Sequence, residues 1–491
     1  MVPHKERPVP TVPPYPFGQP DPQLLRLGDG FFDAVAPAQF PVARLRYRNQ
    51  GWATRMGLGE LTPEQWQRHF WAFEPLAGNL PEPLALRYHG HQFGVYNPDL
   101  GDGRGFLFAQ LRDHATGRLL DLGTKGSGPT PYSRRGDGRL TLKGGIREVL
   151  CTERLEALGV YTSKSFSLFE TGEMLQRNDE PSPTRSSVLV RLSHSHLRLG
   201  SFQRLAHLGD QQRLRALVDF ACATHFPHLP SPSPESLLRE VSQRLAYLFA
   251  SYTAAGFVHG VLNTDNLNLT GESFDYGPYR FLPYYDPEFV AAYFDQNGRY
   301  AFGRQAEACR WALDRFAEAL SLLSPITPLR RVLCDFEPTV FAATHAAFLR
   351  RLGVAPKDPV SDALLVAGCL CFLEASRLPF DTFFFDWYGG AASESRARSS
   401  PHRASYTGDK FAALRRQLAQ YQPTHPQRLT EPYFQRPGPI TLVYDDIERL
   451  WAPIAAADDW SLFQQKVSEL QLLGHALGHA PAQSLATSPI P

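Results

Sequence analysis

The stretch HGVLNTDNLNLTGESFDYGP, from His259 to Pro278, decides how the rest of the chain is read. Asn266 and Asp275 carry hard side-chain oxygens, the ligands that a Mg2+ ion on nucleotide phosphates takes. Asp265, beside Asn266, is a spare carboxylate that can accept a proton. H-G-x-x-N-x-D-N, then eight residues, then D-Y-G is a long pattern for accident to produce in a helix-rich half of a chain.

The spacing resembles the core of a protein kinase, H-R-D-x-x-x-x-N followed by D-F-G. His259 opens the loop, Asn266 closes it, and Asp275-Tyr276-Gly277 stands for D-F-G. The third position, which in a kinase is the catalytic Asp, is Val261, and a valine accepts no proton. Positioning and charge neutralisation dominate phosphoryl transfer, and a positioned base adds roughly 10²–10⁴-fold. The missing Asp therefore weakens kinase chemistry without disproving it.

Working outward, a kinase-like site needs a strand lysine on the phosphates and a helix glutamate to hold it. Lys125 ends a strand-like run, Arg118–Lys125, which pairs across the turn Asp113–Gly117 with Gly105–Leu111 as a hairpin. Glu148 lies on the next predicted helix, Gly145–Leu158, with Gly159 as its stop. Gly101-Asp102-Gly103-Arg104-Gly105 lets backbone approach a phosphate and adds a charged fork, although alone such a loop is usually a turn. Pro131–Arg139, PYSRRGDGR, reads equally as a phosphate grip or a solvated basic loop. In RLSHSHLR, Arg191 and Arg198 face opposite sides if the strand continues and converge if it turns. His194 and His196 lack a completing metal ligand nearby.

Strands are expected at Thr162–Glu170 and Ser187–Ser193, and amphipathic helices at Pro234–Ala255 and Arg304–Leu323. Arg396–Tyr406 and Thr424–Pro439 read as loops. The order predicts an α+β, bilobed, kinase-like fold: an N-terminal extension (1–84), a strand-rich N-lobe (85–185), a helical C-lobe with the catalytic loop (186–344) and a C-terminal helical extension (345–491). The proline-rich stretch 1–22 is expected to lie extended along the surface, with no apolar signal core.

The chain has 491 residues, with 50 Lys and Arg against 49 Asp and Glu, so no global charge draws it to nucleic acid or membrane. Its longest apolar run, Ala363–Leu373, falls short of the roughly 18 residues of a membrane span and reads as a buried helix, with Cys369 and Cys371 as buried small hydrophobes. Six cysteines without C-x-x-C spacing make no disulfide framework. These readings give a cytoplasmic address.

Five segments carry a closer resemblance: YHGHQFGVYNPDLGDGRG (88–105), KGSGPTPYSRRGDGR (125–139), IREVLCTE (146–153), RLSHSHLRLGSF (191–202) and HGVLNTDN with DYGP (259–278). Over about 190 residues the chain resembles the selenoprotein O family, protein adenylyltransferases on a kinase-like fold. The resemblance implies ATP bound in a flipped orientation and AMP passed to Ser, Thr or Tyr hydroxyls of proteins. It implies nucleotide contacts from Gly101, Gly103, Arg104, Asp137 and Gly138, and phosphate contacts from Lys125, Arg191 and Arg198. Glu148 would be the partner of Lys125, Asp265 the proton acceptor, and Asn266 and Asp275 the ligands of Mg2+ or Mn2+, with Asp275 also facing ATP. Family members have a selenocysteine or cysteine near the C-terminus, whereas the last cysteine here is Cys371, and from about residue 340 the chain reads as a divergent branch. The rival readings are an ATP-dependent phosphotransferase with a displaced base and a non-catalytic nucleotide-binding scaffold.

Overall fold

The computed structural model describes residues 18–178 and 180–479. The N-terminal part is built on an antiparallel sheet. Its strands are β1 (Phe32–Ala34), β2 (Arg44–Arg48), β3 (Leu84–Leu86), β6 (Leu107–Arg112), β7 (Leu119–Lys125), β8 (Leu140–Thr141), β9 (Lys164–Leu175) and β10 (Thr184–Ser193); β4 (Gly90–Gln92) and β5 (Val95–Asn97) form a separate hairpin. The spatial order is β1-β3-β6-β7-β10-β9-β2, with β8 paired to β10. Residues 18–48 thus supply both end strands of the sheet. Residues 1–17 of the expected surface stretch lie outside the described residues, and from Gly18 on the chain runs beside β6, the Asp21 amide donating to the Gln110 carbonyl at 3.0 Å.

Alternation along β10 shows why the sheet is covered on both faces. Val188, Val190 and Leu192 join one core with Trp52, Trp66, Phe70 and Phe166. Leu189, between them, joins the other core with Ile146, Val149 and Leu150 of the helix Leu142–Ala157. That helix is capped by Thr141, whose hydroxyl accepts from the Gly144 amide, and stops at Gly159 (φ 74°). Its outer side is backed by the C-terminal part of the chain. Arg154 donates to the Ile440 carbonyl and to Asp381, both at 2.6 Å, Lys143 pairs with Glu448 at 2.8 Å, and the helix Ser461–Leu477 packs along it.

The remainder is helical. Pro234–Ala255 starts on Ser233, which accepts from the Ser236 amide, with Pro234 in the first turn, where a missing N–H costs nothing. It ends on the left-handed Gly256 (φ 64°). Two-residue strands follow, β11 (Phe257–Val258) and β12 (Arg280–Phe281), pairing Phe257 with Phe281 and Val258 with Arg280. This clamp brackets the segment 259–279 and fixes both of its ends.

Three local expectations need correction. The apolar run belongs to a longer helix, Pro359–Ser376, which is long and apolar enough on those counts alone to cross a membrane. It is not buried all round: Leu365, Val366, Cys369 and Phe372 face the core, while Val360 and Leu364 are 69% and 57% exposed and Cys371 lies outside. Packing against Phe336–Leu352 and Gly408–Leu418 covers one side only. The two expected loops hold short helices, Glu394–Ser399 in the first, and Pro426–Thr430 and Pro432–Gln435 in the second. Arg396, reaching the carbonyls of Phe385 and Tyr388 at 2.9 Å each, anchors the first.

Candidate active site

The site forms where the end of β7, the helix Leu142–Ala157 and the 259–279 segment meet. Lys125, buried, is ion-paired with Glu148 and with Asp275 (2.6 Å). Arg191 reaches the same Asp275 oxygen at 3.3 Å. The chain leaves β10 at Ser193 and turns before the helix Leu199–His207, so Arg191 and Arg198 converge, their guanidinium groups 5.4 and 4.8 Å from the centre of the Phe274 ring. Burial works to raise the pKa of Asp275, but the charges of Lys125, Arg191, Arg198 and exposed Arg104 outweigh it and hold the carboxyl well below the usual range. Four cations spread over four segments thus act on one carboxylate. Asp275 has a left-handed backbone (φ 65°), uncommon for a residue with a Cβ.

The loop before it is held from within. His259 bonds the Phe274 carbonyl through Nε2 at 2.9 Å, and buried Tyr276 meets Thr162 through its hydroxyl. Asn266 donates its amide nitrogen to the Val261 carbonyl at 3.0 Å, which leaves the amide oxygen as the end that can take a cation. Asp265 is buried, and its Oδ1 has no hydrogen-bond partner. Burial pushes its carboxyl up to about 6, with Arg198 and Arg134 opposing and Asp275 adding to the rise. An ordinary aspartate sits near 4. A buried carboxyl with a raised pKa is the kind of group that clusters at functional sites.

The glycine loops interlock. A Cβ at Gly101 would lie 2.3 Å from the Tyr132 ring, and one at Gly103 2.8 Å from the Tyr132 carbonyl oxygen. Ser133 donates to the Gly103 carbonyl at 2.5 Å. Gly138 (φ 67°) closes the second loop, its carbonyl accepting from the Gly128 amide at 3.1 Å. The Asp137 carboxylate is turned to Arg177 (2.8 Å) on the surface and makes no bond to the Lys125 cluster.

Sequence reasoning passed over several residues. Asp102, buried, accepts from the Leu86 amide at 3.0 Å and from Arg198 at 3.1 Å, while Arg198 also donates to the Asp265 carbonyl at 2.8 Å. Arg198 therefore ties the first glycine loop to the 259–279 segment. The β4–β5 hairpin lies over the start of the 259–279 segment, the His91 amide donating to Thr264 Oγ1 at 2.8 Å and the Phe93 amide to Asn263 Oδ1 at 3.1 Å. A Cβ at Gly90 would sit 3.2 Å from Asp265 Oδ1 and 3.0 Å from Thr264 Oγ1, so any side chain there would crowd that oxygen. His194 accounts for itself by pairing with Glu272 at 2.7 Å, and among the described residues no three His, Cys, Asp or Glu side chains group as a metal cage.

Comparison with known proteins places the chain among the nucleotidyltransferases. It belongs to the protein adenylyltransferase SelO family, whose model matches residues 19–471. It is 45% identical over 464 residues to a protein nucleotidyltransferase YdiU of Gloeobacter violaceus (92% of this chain, 94% of the relative) and 42% identical over 475 residues to that of Synechocystis (92% and 97%). A more distant YdiU, from Pectobacterium atrosepticum, is 35% identical over 400 residues, 80% of each chain. The match runs well past residue 340, so the expected departure from the family there does not hold. The C-terminal helices carry no written motif, which is why the likeness was invisible by inspection.

Proposed function

We propose that this chain transfers AMP from ATP to Ser, Thr or Tyr hydroxyls of proteins and releases pyrophosphate. The observation that carries the reading is the convergence of Arg104, Lys125, Arg191 and Arg198 on Asp275, behind a loop with Val261 where a kinase base would stand. The fold is read as kinase-like: the lysine at the end of a strand, the glutamate on the next long helix and the clamped loop 259–279 support it. The cation set suits a triphosphate held deep, with its β- and γ-phosphates as leaving group.

The acceptor O–H attacks the α-phosphorus, a new P–O bond forms to the acceptor, and the bond from the α-phosphorus to the bridging oxygen breaks. Pyrophosphate leaves with that electron pair, and the acceptor proton goes to Asp265, whose free oxygen and raised pKa suit a base near neutral pH. Glu148 holds Lys125 toward the phosphates, and Arg191 and Arg198 neutralise them. Gly101, Gly103 and Arg104, with Gly138 and more distantly Asp137, line the nucleotide. Asn266 and Asp275 would hold Mg2+ or Mn2+, for their hard side-chain oxygens suit such an ion. Such an ion supplies charge neutralisation at the phosphate oxygens.

ATP labelled at the α- or the γ-phosphorus tests the reading. The α label should stay on protein and the γ label should leave in pyrophosphate. Retention of the γ label alone would establish a phosphotransferase, and binding with neither label transferred a scaffold.

A further inference from the structure

The β4–β5 hairpin turns through Phe93 (φ 50°) and Gly94 (φ 84°). Two positive φ values make the tight turn that asparagine followed by glycine favours, and a bulky residue in the first place is a costly choice. The choice keeps an aromatic ring at the tip, where Phe93 is 38% exposed. Its ring packs on Phe294 (centroids 5.7 Å apart), and Phe294 on Tyr293 (5.2 Å). Phe294 is 46% exposed, Tyr293 85% and Val95, on the same hairpin, 71%. Contiguous exposed apolar surface of this kind marks a contact site.

The patch is fastened to the catalytic loop. The Phe93 amide and the hydroxyl of buried Tyr300 both donate to Asn263 Oδ1, at 3.1 and 2.8 Å. The Phe93 ring also rests on Tyr300, centroids 5.1 Å apart. Asn263 stands two residues before Asp265. Through Asn263 the patch borders the loop that carries the proposed base, the loop to which a protein acceptor would be brought. The Arg299 guanidinium lies beside Gly94, which sets one charged group at the edge of the aromatic patch, as at the rim of a protein contact.

We infer that Phe93, Tyr293 and Phe294 form the platform on which the protein acceptor lays an aromatic or aliphatic side chain that flanks the modified hydroxyl. The inference rests on the adenylyl-transfer reading and deepens it by naming a feature of the substrate. The backbone of the hairpin fixes the acceptor's distance from Asp265, and the rings select its neighbours.

The test uses the full chain, α-labelled ATP and pairs of synthetic peptides with one Ser, Thr or Tyr each, flanked by Phe and Leu in one member and by Gly in the other. The wild type should favour the apolar member by about tenfold in kcat/KM, the effect of burying one such side chain. Tyr293→Ala/Phe294→Ala should bring the ratio to within about twofold, with ATP affinity unchanged. Phe93→Asn removes a ring but suits the turn. It should lose the preference while thermal stability holds or rises, which separates docking from a folding defect. Equal use of both peptides by the wild type, or preference kept by the variants, overturns the platform. So does a concentration-dependent dimer that the double variant abolishes while peptide preference stays, since the occupant is then a second copy. Transfer of γ label instead of α label defeats the adenylyl reading, and the same ratio still judges the platform. Peptides free of either label overturn the platform as an acceptor site.

Discussion

Asp265, buried, and Asp275, half-buried, are aspartates on one clamped segment, and their surroundings drive them apart. At Asp275, Lys125 and three arginines overcome burial and keep the carboxylate charged. At Asp265, ten residues earlier, burial dominates and lifts the carboxyl to about 6. Both groups have the same chemistry in water, so environment alone separates a permanent anion from a group that can take and release a proton. The cationic end suits phosphates and metal, and the end under the hairpin suits a hydroxyl.

The hardest way to break this contrast is Asp275→Asn. It removes the charge that balances the cation cluster and the proposed metal ligand, so calorimetric titration with ATP and Mg2+ should show binding and activity lost together. Asp265→Asn should leave ATP affinity within about twofold and lower turnover by roughly 10²–10⁴-fold. If it loses nucleotide as completely as the first variant, Asp265 belongs to the metal or the framework. Gly90→Ala puts a methyl group against the free oxygen of Asp265 and should cut turnover by about ten- to a hundredfold with ATP affinity kept, since small misplacements of a catalytic group are costly. Acid should act most mildly. The base must be charged, so kcat/KM should fall as pH drops through about 6, reaching about a tenth of its plateau one unit below, and Asp265→Asn should abolish that limb.

Part of the site was legible because local pattern carries it. Lys125 and Glu148 lie on a strand and a helix whose periodicities are plain, and packing of that helix on the sheet brings them together. Arg191 and Arg198 could not be placed from spacing alone, since their convergence depends on a turn after Ser193 that the motif does not announce. Asp102 and Gly90 were out of reach for a different reason. Their roles come from contacts with Arg198 and Asp265, about 100 and 175 residues away, which no period encodes. The helix Pro359–Ser376 misled because composition does not tell which face neighbours will cover.

The backing of the helix Leu142–Ala157 sets an order of manufacture. The lysine partner Glu148 leaves the ribosome early, yet Asp381, Ile440, Glu448 and the helix Ser461–Leu477 that steady its helix emerge more than 200 residues later. At typical rates of protein synthesis the wait is roughly 15–60 s. A nascent chain released before the helix Ser461–Leu477 would thus carry the written motifs without the wall that holds them in register.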